Sequence, residues 1–136
     1  MNVQVGTIIP VRVVERVSCA HMKTMAALLQ DPNPIHWDPA ATRELGMGDR
    51  VVNQGPINMA YIMNMLVTWA GNEPARLRGL TLRFLANVFD GDRVEAGGRV
   101  TLVREVNGER LADCEVWLDV TGGTRALVGT ATVALP

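Results

Sequence analysis

The chain has 136 residues, of which 48% are hydrophobic and 20% charged, and this composition predicts one folded domain over residues 1–136 rather than a disordered chain. Its 13 Lys and Arg residues are balanced by 14 Asp and Glu residues, so it lacks the basic excess that nucleic-acid binding requires. Two cysteines supply neither a disulfide framework nor a zinc site, and no apolar run is long enough to span a bilayer, so we expect a cytoplasmic protein that binds no membrane.

The first half of the chain predicts a strand followed by helices. Residues 11–17 are short and β-branched, which is typical of a strand. Ser18 is suited to cap a helix, and apolar side chains then recur from Met22 at helical spacing. The two prolines within residues 31–34 end that helix, and Asp38 is suited to cap a second, shorter one.

The segment 57–71 predicts a central helix, with Pro56 in its first turn and Gly71 at its end. This segment is apolar nearly all round, and a helix without a polar face must be buried on nearly every side. The second half of the chain alternates with period two and predicts four long strands, around residues 80–88, 94–102, 112–120 and 126–135.

Asn107-Gly108 is a strong signal for a tight hairpin between two of these strands. Antiparallel strands with one apolar face must pack that face against a hydrophobic element, and the apolar helix is the large element of this kind in the sequence. We therefore expect an α+β fold in which a curved antiparallel sheet wraps around the central helix. A sheet this small leaves long edge strands exposed, which favours pairing between two copies of the chain.

Two places in the sequence are candidates for chemistry. The proline-rich loop 31–38 holds Asp31 and His36 in restricted geometry, and a carboxylate facing an imidazole can activate a water molecule. The same residue types are also common turn formers. Gly55 lies where the central helix begins, and its backbone N–H, with that of Ile57, can stabilise an oxygen that gains negative charge. Alternatively, Gly55 is only a turn residue that precedes the helix.

The loop sequence also resembles a known family. Residues 28–38 are similar to the hydratase motif of MaoC-like dehydratases, which include (R)-specific enoyl-CoA hydratases, and residues 83–92 are similar to the family's strand and Gly-Asp turn. The resemblance covers nearly the whole chain and implies a hot-dog fold with a long central helix. It implies that Asp31 and His36 hold the attacking water and that the Gly55 N–H donates to the thioester carbonyl.

The resemblance further implies hydration of a trans-2-enoyl-CoA to a 3-hydroxyacyl-CoA, or the reverse dehydration, without a metal or other cofactor. The substrate would be a thioester of coenzyme A or of acyl carrier protein, and the protein would be a homodimer or a higher oligomer of dimers. The chain departs from the family pattern at Gln54, Pro56 and Asn87. The first two would lie beside the substrate carbonyl and would affect acyl specificity more than reaction type. The residues that we expect to contact the substrate are Asn33, Gln54, Ile57, Asn58, Asn64 and Arg83.

Two other functions stay open at this point. The chain can be a non-catalytic or partner-dependent subunit of a hetero-oligomeric hydratase, as some members of the family are. It can also be an acyl-CoA thioesterase of the same fold. Such thioesterases usually carry an acid on or next to the central helix, and residues 57–71 contain no Asp or Glu, which argues against this second alternative.

Overall fold

The structure, a computed structural model, describes residues 2–136 and contains one five-stranded sheet with a long helix packed against it. All strand pairs are antiparallel, and the order across the sheet is β1-β3-β4-β5-β2. The strands are β1 (Ile8–Val14), β2 (Leu77–Phe84), β3 (Val94–Val106), β4 (Glu109–Val120) and β5 (Thr124–Ala134). The helices are α1 (Cys19–Leu29), α2 (Pro39–Glu44) and α3 (Gly55–Trp69), with single 3₁₀ turns at Pro34–His36 and Pro74–Arg76. The predicted α+β architecture is confirmed.

Local sequence signals set the ends of the helices. The Ser18 hydroxyl accepts a hydrogen bond from the Ala20 N–H at 3.2 Å, and the Asp38 carboxylate does the same for Ala40 at 2.9 Å. Helix α1 ends where Gln30 adopts a left-handed conformation at φ 52°. Both predicted caps are therefore confirmed.

Two predicted strands begin and end elsewhere than expected. The first strand is Ile8–Val14 rather than 11–17, because Val17 leaves the sheet and exchanges backbone hydrogen bonds with the turn at Gly91 and Asp92. Strand β2 is Leu77–Phe84 rather than 80–88, because the residues after Phe84 leave the ladder and turn back toward residues 51–53. Periodicity alone does not show where such a departure occurs.

The hairpin between β3 and β4 has the predicted turn. Asn107 and Gly108 have φ values of 52° and 78°, and two successive positive φ values are what a tight two-residue hairpin needs. This turn fixes the register of the two longest strands.

Helix α3 packs on the sheet through one side only. Its fully buried residues are Ile57, Asn58, Ile62, Met65 and Leu66. The prediction that this helix is buried on nearly every side is wrong for the single chain, since Met63 is 39% exposed and Thr68 is also exposed. The reason is that a single sheet covers a single face of the helix.

None of the helices within residues 2–136 combines the length and hydropathy that crossing a membrane would demand.

Candidate active site

The loop after α1 is ordered by its own side chains. The Asp31 carboxylate accepts a hydrogen bond from the Asn33 N–H at 3.0 Å, and the Asn33 side chain accepts one from Ile35 at 3.3 Å. These contacts begin the 3₁₀ turn that carries His36. Asn33, predicted to contact substrate, is exposed and serves here as a turn cap.

The loop places Asp31 and His36 against each other. His36 Nδ1 lies 2.6 Å from the backbone oxygen of Val52, and His36 Nε2 lies 3.3 Å from Asp31 Oδ2. A carbonyl oxygen can only accept a hydrogen bond, so Nδ1 carries the proton. In the neutral imidazole, the Nε2 lone pair therefore faces the carboxylate. A water molecule that lies beside both acceptors can donate a hydrogen bond to each of them.

Backbone hydrogen bonds between three chain segments hold His36 near the start of α3. The Val52 N–H donates to the Ile35 carbonyl at 2.9 Å, and the Asn53 N–H donates to the Val88 carbonyl at 2.7 Å. The imidazole is buried, at 8% exposure, while the Asp31 side chain keeps 29% of its surface exposed. The backbone therefore holds the histidine in place, and the carboxylate is open to solvent.

Gly55 is the first residue of α3, and its N–H has no acceptor among residues 2–136. Pro56 has no N–H, and the Ile57 N–H donates to the Gln54 carbonyl at 3.0 Å. The expectation that Ile57 offers a second free donor is wrong, because the first turn of the helix already uses it. The donor left at this helix end is the Gly55 N–H.

A cavity of about 280 Å³ opens beside Gly55. Its walls come from the start of α3 and from the segment that follows β2, and they are Asn53, Gly55, Asn58, Phe84, Leu85, Ala86 and Asn87. A Cβ atom on Gly55 would lie 3.1 Å from Phe84 Cε1, so the glycine leaves room at the mouth of the cavity. Asn58 is thus placed at the cavity, as is Asn87, which departs from the family pattern.

Asn53 is a cavity residue that sequence reasoning missed. It is buried, at 3% exposure, and its Nδ2 donates to Asn58 Oδ1 at 2.8 Å. The signal that could have found it is an asparagine directly after two apolar residues and just before an apolar helix. A polar side chain in that setting needs a partner, and here Asn58 supplies it.

Asn58 is the one predicted contact residue that lines the cavity, and two of the other five, Gln54 and Asn64, have clear positions elsewhere. The Gln54 side chain is buried and its Nε2 donates to the Met22 carbonyl at 2.7 Å, so it joins α3 to α1. Asn64 is exposed on α3 and is not among the residues that form the cavity wall. The structure therefore does not bring Asn64 to the site.

Arg83 is exposed on β2, next in the chain to the cavity residue Phe84. Across the described part of the chain, no carboxylate forms an ion pair with its guanidinium. The two neighbouring arginines are different, since Arg76 pairs with Glu73 at 3.0 Å and Arg78 pairs with Glu109. Arg83 is therefore the arginine of β2 that is free to meet an anionic ligand.

The chain is similar to characterised proteins along nearly its whole length. Residues 5–121 match the family described as the MaoC like domain. The chain is 30% identical over 125 residues to an (R)-specific enoyl-CoA hydratase of Aeromonas caviae, and the match covers 92% of this chain and 91% of the relative.

Solved structures extend the similarity to the fold. The (R)-hydratase from A. caviae involved in PHA biosynthesis superposes with a TM-score of 0.85 at 28% identity, covering 99% of this chain and 98% of that one. The ChsH1–ChsH2 complex from Mycobacterium tuberculosis has a TM-score of 0.81 at 19% identity, with full coverage of both chains.

Proposed function

The chain belongs to the MaoC-like family, and from that membership we propose that it hydrates a trans-2-enoyl-CoA to a 3-hydroxyacyl-CoA or catalyses the reverse dehydration. Its hot-dog fold, expected from the sequence, is confirmed. The observation that carries the proposal is the contact of His36 Nε2 with Asp31 Oδ2 at 3.3 Å, with Nδ1 held by Val52. This arrangement suits activation of a water molecule.

In the proposed reaction, water donates one hydrogen bond to Asp31 Oδ2 and one to His36 Nε2. One of these two groups takes a proton, and the hydroxide that remains bonds to C3 of the enoyl thioester. The C2–C3 π electrons move toward the thioester, whose oxygen becomes enolate-like. The pair accepts a proton from the water and delivers one to C2, so its total number of protons is unchanged after a turnover. Addition of water involves no net oxidation or reduction, so the proposal requires no redox cofactor.

In the proposed reaction, the developing oxyanion lies at the start of α3. The Gly55 N–H donates to the thioester oxygen, and the positive end of the helix dipole favours the negative charge there. Val52 accepts the His36 hydrogen bond and precedes Gly55 by three residues, which links the water-activating pair to the oxyanion donor through a short segment. Both groups would act on one thioester.

The proposed assembly is a homodimer, or an oligomer of dimers, formed through β2. The other edge strand, β1, contains Pro10, which has no N–H, and a bulge between Ile9 and Arg12, and both features oppose edge pairing. At the end of β2, Phe84 is 51% exposed and Leu85 is 52% exposed. Pairing through β2 would cover these side chains and close the cavity that they line.

A partner-dependent subunit is the second candidate. The neighbour from Mycobacterium tuberculosis was solved as a complex of two proteins, and the cavity here opens beside a free strand edge. In that case a different hot-dog chain would pair with β2 and complete the site.

The test is hydration of crotonyl-CoA, followed by the loss of enoyl thioester absorbance. We expect Asp31→Asn and His36→Ala each to reduce kcat/KM by about 10²–10⁴-fold, since each removes one of the groups that move the proton. His21→Ala and Asp49→Asn are matched controls on exposed residues and should keep wild-type rates.

Turnover that survives both active-site substitutions would contradict the proposed mechanism. The wild-type chain can also lack activity by itself with both short and long enoyl thioesters. If it then becomes active when a second hot-dog chain is added, the partner-dependent alternative is established instead.

A further inference from the structure

The carbonyl that holds His36 belongs to a short segment, residues 51–53, which is bonded on both of its edges. One edge faces the 3₁₀ turn that carries the histidine and contacts it through the N–H and the carbonyl of Val52. The opposite edge faces residues 88–90, with backbone hydrogen bonds of 2.7 Å and 2.9 Å. The direction of the Val52 carbonyl therefore depends on how residues 88–90 hold this segment.

The side chain of Arg50, directly before this segment, joins it to the turn at residues 89–92. Arg50 Nη1 donates to the Asp90 carbonyl at 3.0 Å and to Asp92 Oδ1 at 2.6 Å. Its guanidinium carbon lies 5.1 Å from the centre of the Phe89 ring. Asp92 Oδ2 accepts a hydrogen bond from the Phe89 N–H at 2.9 Å, so the same carboxylate holds both the turn and the arginine.

The turn at residues 89–92 is itself held in place by the start of α1. Val17 exchanges two backbone hydrogen bonds with this turn, each of 2.8 Å. Asp90 Oδ1 accepts a third from the Cys19 N–H at 2.9 Å. Arg50 therefore fastens the segment that carries Val52 to a part of the chain that has further anchors.

The Arg50–Asp92 pair differs from an ordinary surface ion pair. Arg43 and Asp49 form such a pair at 3.5 Å with both side chains exposed, and pairs of that kind contribute little. The Asp92 side chain is only 12% exposed, and Arg50 also donates to a backbone carbonyl. Charge-assisted bonds of this type are strong and directional.

We propose that Arg50 is a positioning residue that acts on His36 through Val52. By holding residues 51–53 against the turn, it keeps the Val52 carbonyl directed at Nδ1 and thus keeps the proton on that nitrogen. Nε2 is then left as the base that faces Asp31. This inference rests on the proposed function for its effect on rate, whereas its effect on the histidine requires no substrate.

The first test observes which ring nitrogen of His36 carries the proton. Long-range proton–nitrogen NMR spectra distinguish the two nitrogens, and the chain has only two histidines, with exposed His21 as the internal reference. At about pH 8, where an ordinary imidazole is neutral, we expect the Nδ1–H form in the wild type. Arg50→Met should give a mixture of both forms. Arg50→Lys keeps a cationic donor and should retain more of the Nδ1–H form.

The second test measures hydration of crotonyl-CoA by the same proteins. We expect Arg50→Met to lower kcat about tenfold, because a small displacement of a reacting group slows the chemical step. KM should stay nearly unchanged, since Arg50 is not part of the cavity wall at Gly55. Arg43→Met is the matched control, because it removes an exposed arginine from an ion pair that does not contact the turn at residues 89–92. It should leave kcat, KM and the spectrum of His36 unchanged.

The outcomes separate this inference from the proposed function. A wild type without the Nδ1–H form, or a folded Arg50→Met protein that keeps it, would overturn the inference, even if crotonyl-CoA is hydrated. A mixture of forms in Arg50→Met without any fall in kcat, in a protein whose wild type is active, would also overturn it. A mixture in Arg50→Met but not in Arg43→Met supports it, even if no protein turns over and the proposed reaction fails. If Arg50→Met does not fold, Asp92→Asn supplies the same comparison, because it removes the charge that Arg50 meets.

Discussion

At the scale of single residues, one hydrogen bond determines what His36 can do. The Val52 carbonyl fixes the proton on Nδ1, which directs the basic Nε2 toward Asp31. Without that bond, the ring would be free to present either nitrogen to the substrate. In the proposed mechanism, the chemistry therefore depends on a backbone oxygen as much as on the two side chains.

Substitution of Arg83 should weaken substrate binding without slowing the chemical step. We expect Arg83→Gln to raise KM for crotonyl-CoA about tenfold with little change in kcat, because a guanidinium without an ion-pair partner is available to the phosphates of coenzyme A. The measurement is repeated with crotonyl-pantetheine, which lacks the nucleotide phosphates and should show no difference between the two proteins.

Arg78→Gln is the matched control on the same strand, because Arg78 is already paired with Glu109. If Arg78→Gln raises KM for crotonyl-CoA as much as Arg83→Gln does, or if both thioesters respond alike, Arg83 does not bind the phosphates.

At the scale of the element, the start of α3 is unusual because its N-cap residue forms no capping bond. The Gln54 side chain turns inward to the Met22 carbonyl instead of toward the first turn. An uncapped helix start leaves backbone N–H groups unsatisfied. The Gly55 N–H is the first of these groups and has no acceptor among residues 2–136, so it is available for the oxygen of the proposed thioester substrate.

Gln54 should therefore support the position of α3 rather than take part in chemistry. We expect Gln54→Met to lower the free energy of unfolding by about 1–2 kcal/mol, because the Met22 carbonyl loses the Gln54 amide as a donor while the length of the side chain is kept. Urea denaturation measures this change. The accompanying loss in kcat/KM should be smaller than that of Asp31→Asn. An unchanged urea midpoint would show that the Gln54–Met22 bond contributes no net stability.

At the scale of the whole molecule, the two sheet edges differ. Edge β1 has Pro10 and a bulge, whereas β2 has no proline and its central residues 79–82 carry no charge. In a dimer with twofold symmetry, residues near the middle of β2 lie opposite themselves across the interface.

If the chain forms the proposed dimer through β2, we expect Thr81→Lys to convert it to monomers, because two like charges would then face each other across paired strands. Sedimentation velocity measures the mass, and hydration of crotonyl-CoA should fall with it, since the cavity lies at the end of this strand. Val11→Lys places the same charge on the exposed edge β1 and should leave the mass unchanged. A Thr81→Lys protein that stays dimeric while Val11→Lys dissociates would place the interface on β1.

Much of the architecture could be predicted because its signals are local. The caps at Ser18 and Asp38, the Asn107-Gly108 turn and the period-two strands each depend on neighbouring residues and are all observed. The ends of β1 and β2 cannot be predicted from local signals, because distant segments draw the chain out of the sheet there. Hydropathy predicts more burial of α3 than the single chain shows, because it does not indicate how many sides of the helix are covered.

The sequence by itself determined the fold class, the family and the two end residues of the candidate motif, Asp31 and His36. The reason is that hydrophobic periodicity, turn residues and the spacing of this motif are all properties of short stretches of chain. Only the tertiary structure decided which nitrogen of His36 faces Asp31, that Ile57 is not a free donor, that Gln54 turns away from the cavity and that Asn53 lines it. These facts depend on contacts between separate segments of the chain. Such contacts determine the direction in which a side chain points and the hydrogen-bond partners that it finds, and local sequence patterns do not predict either.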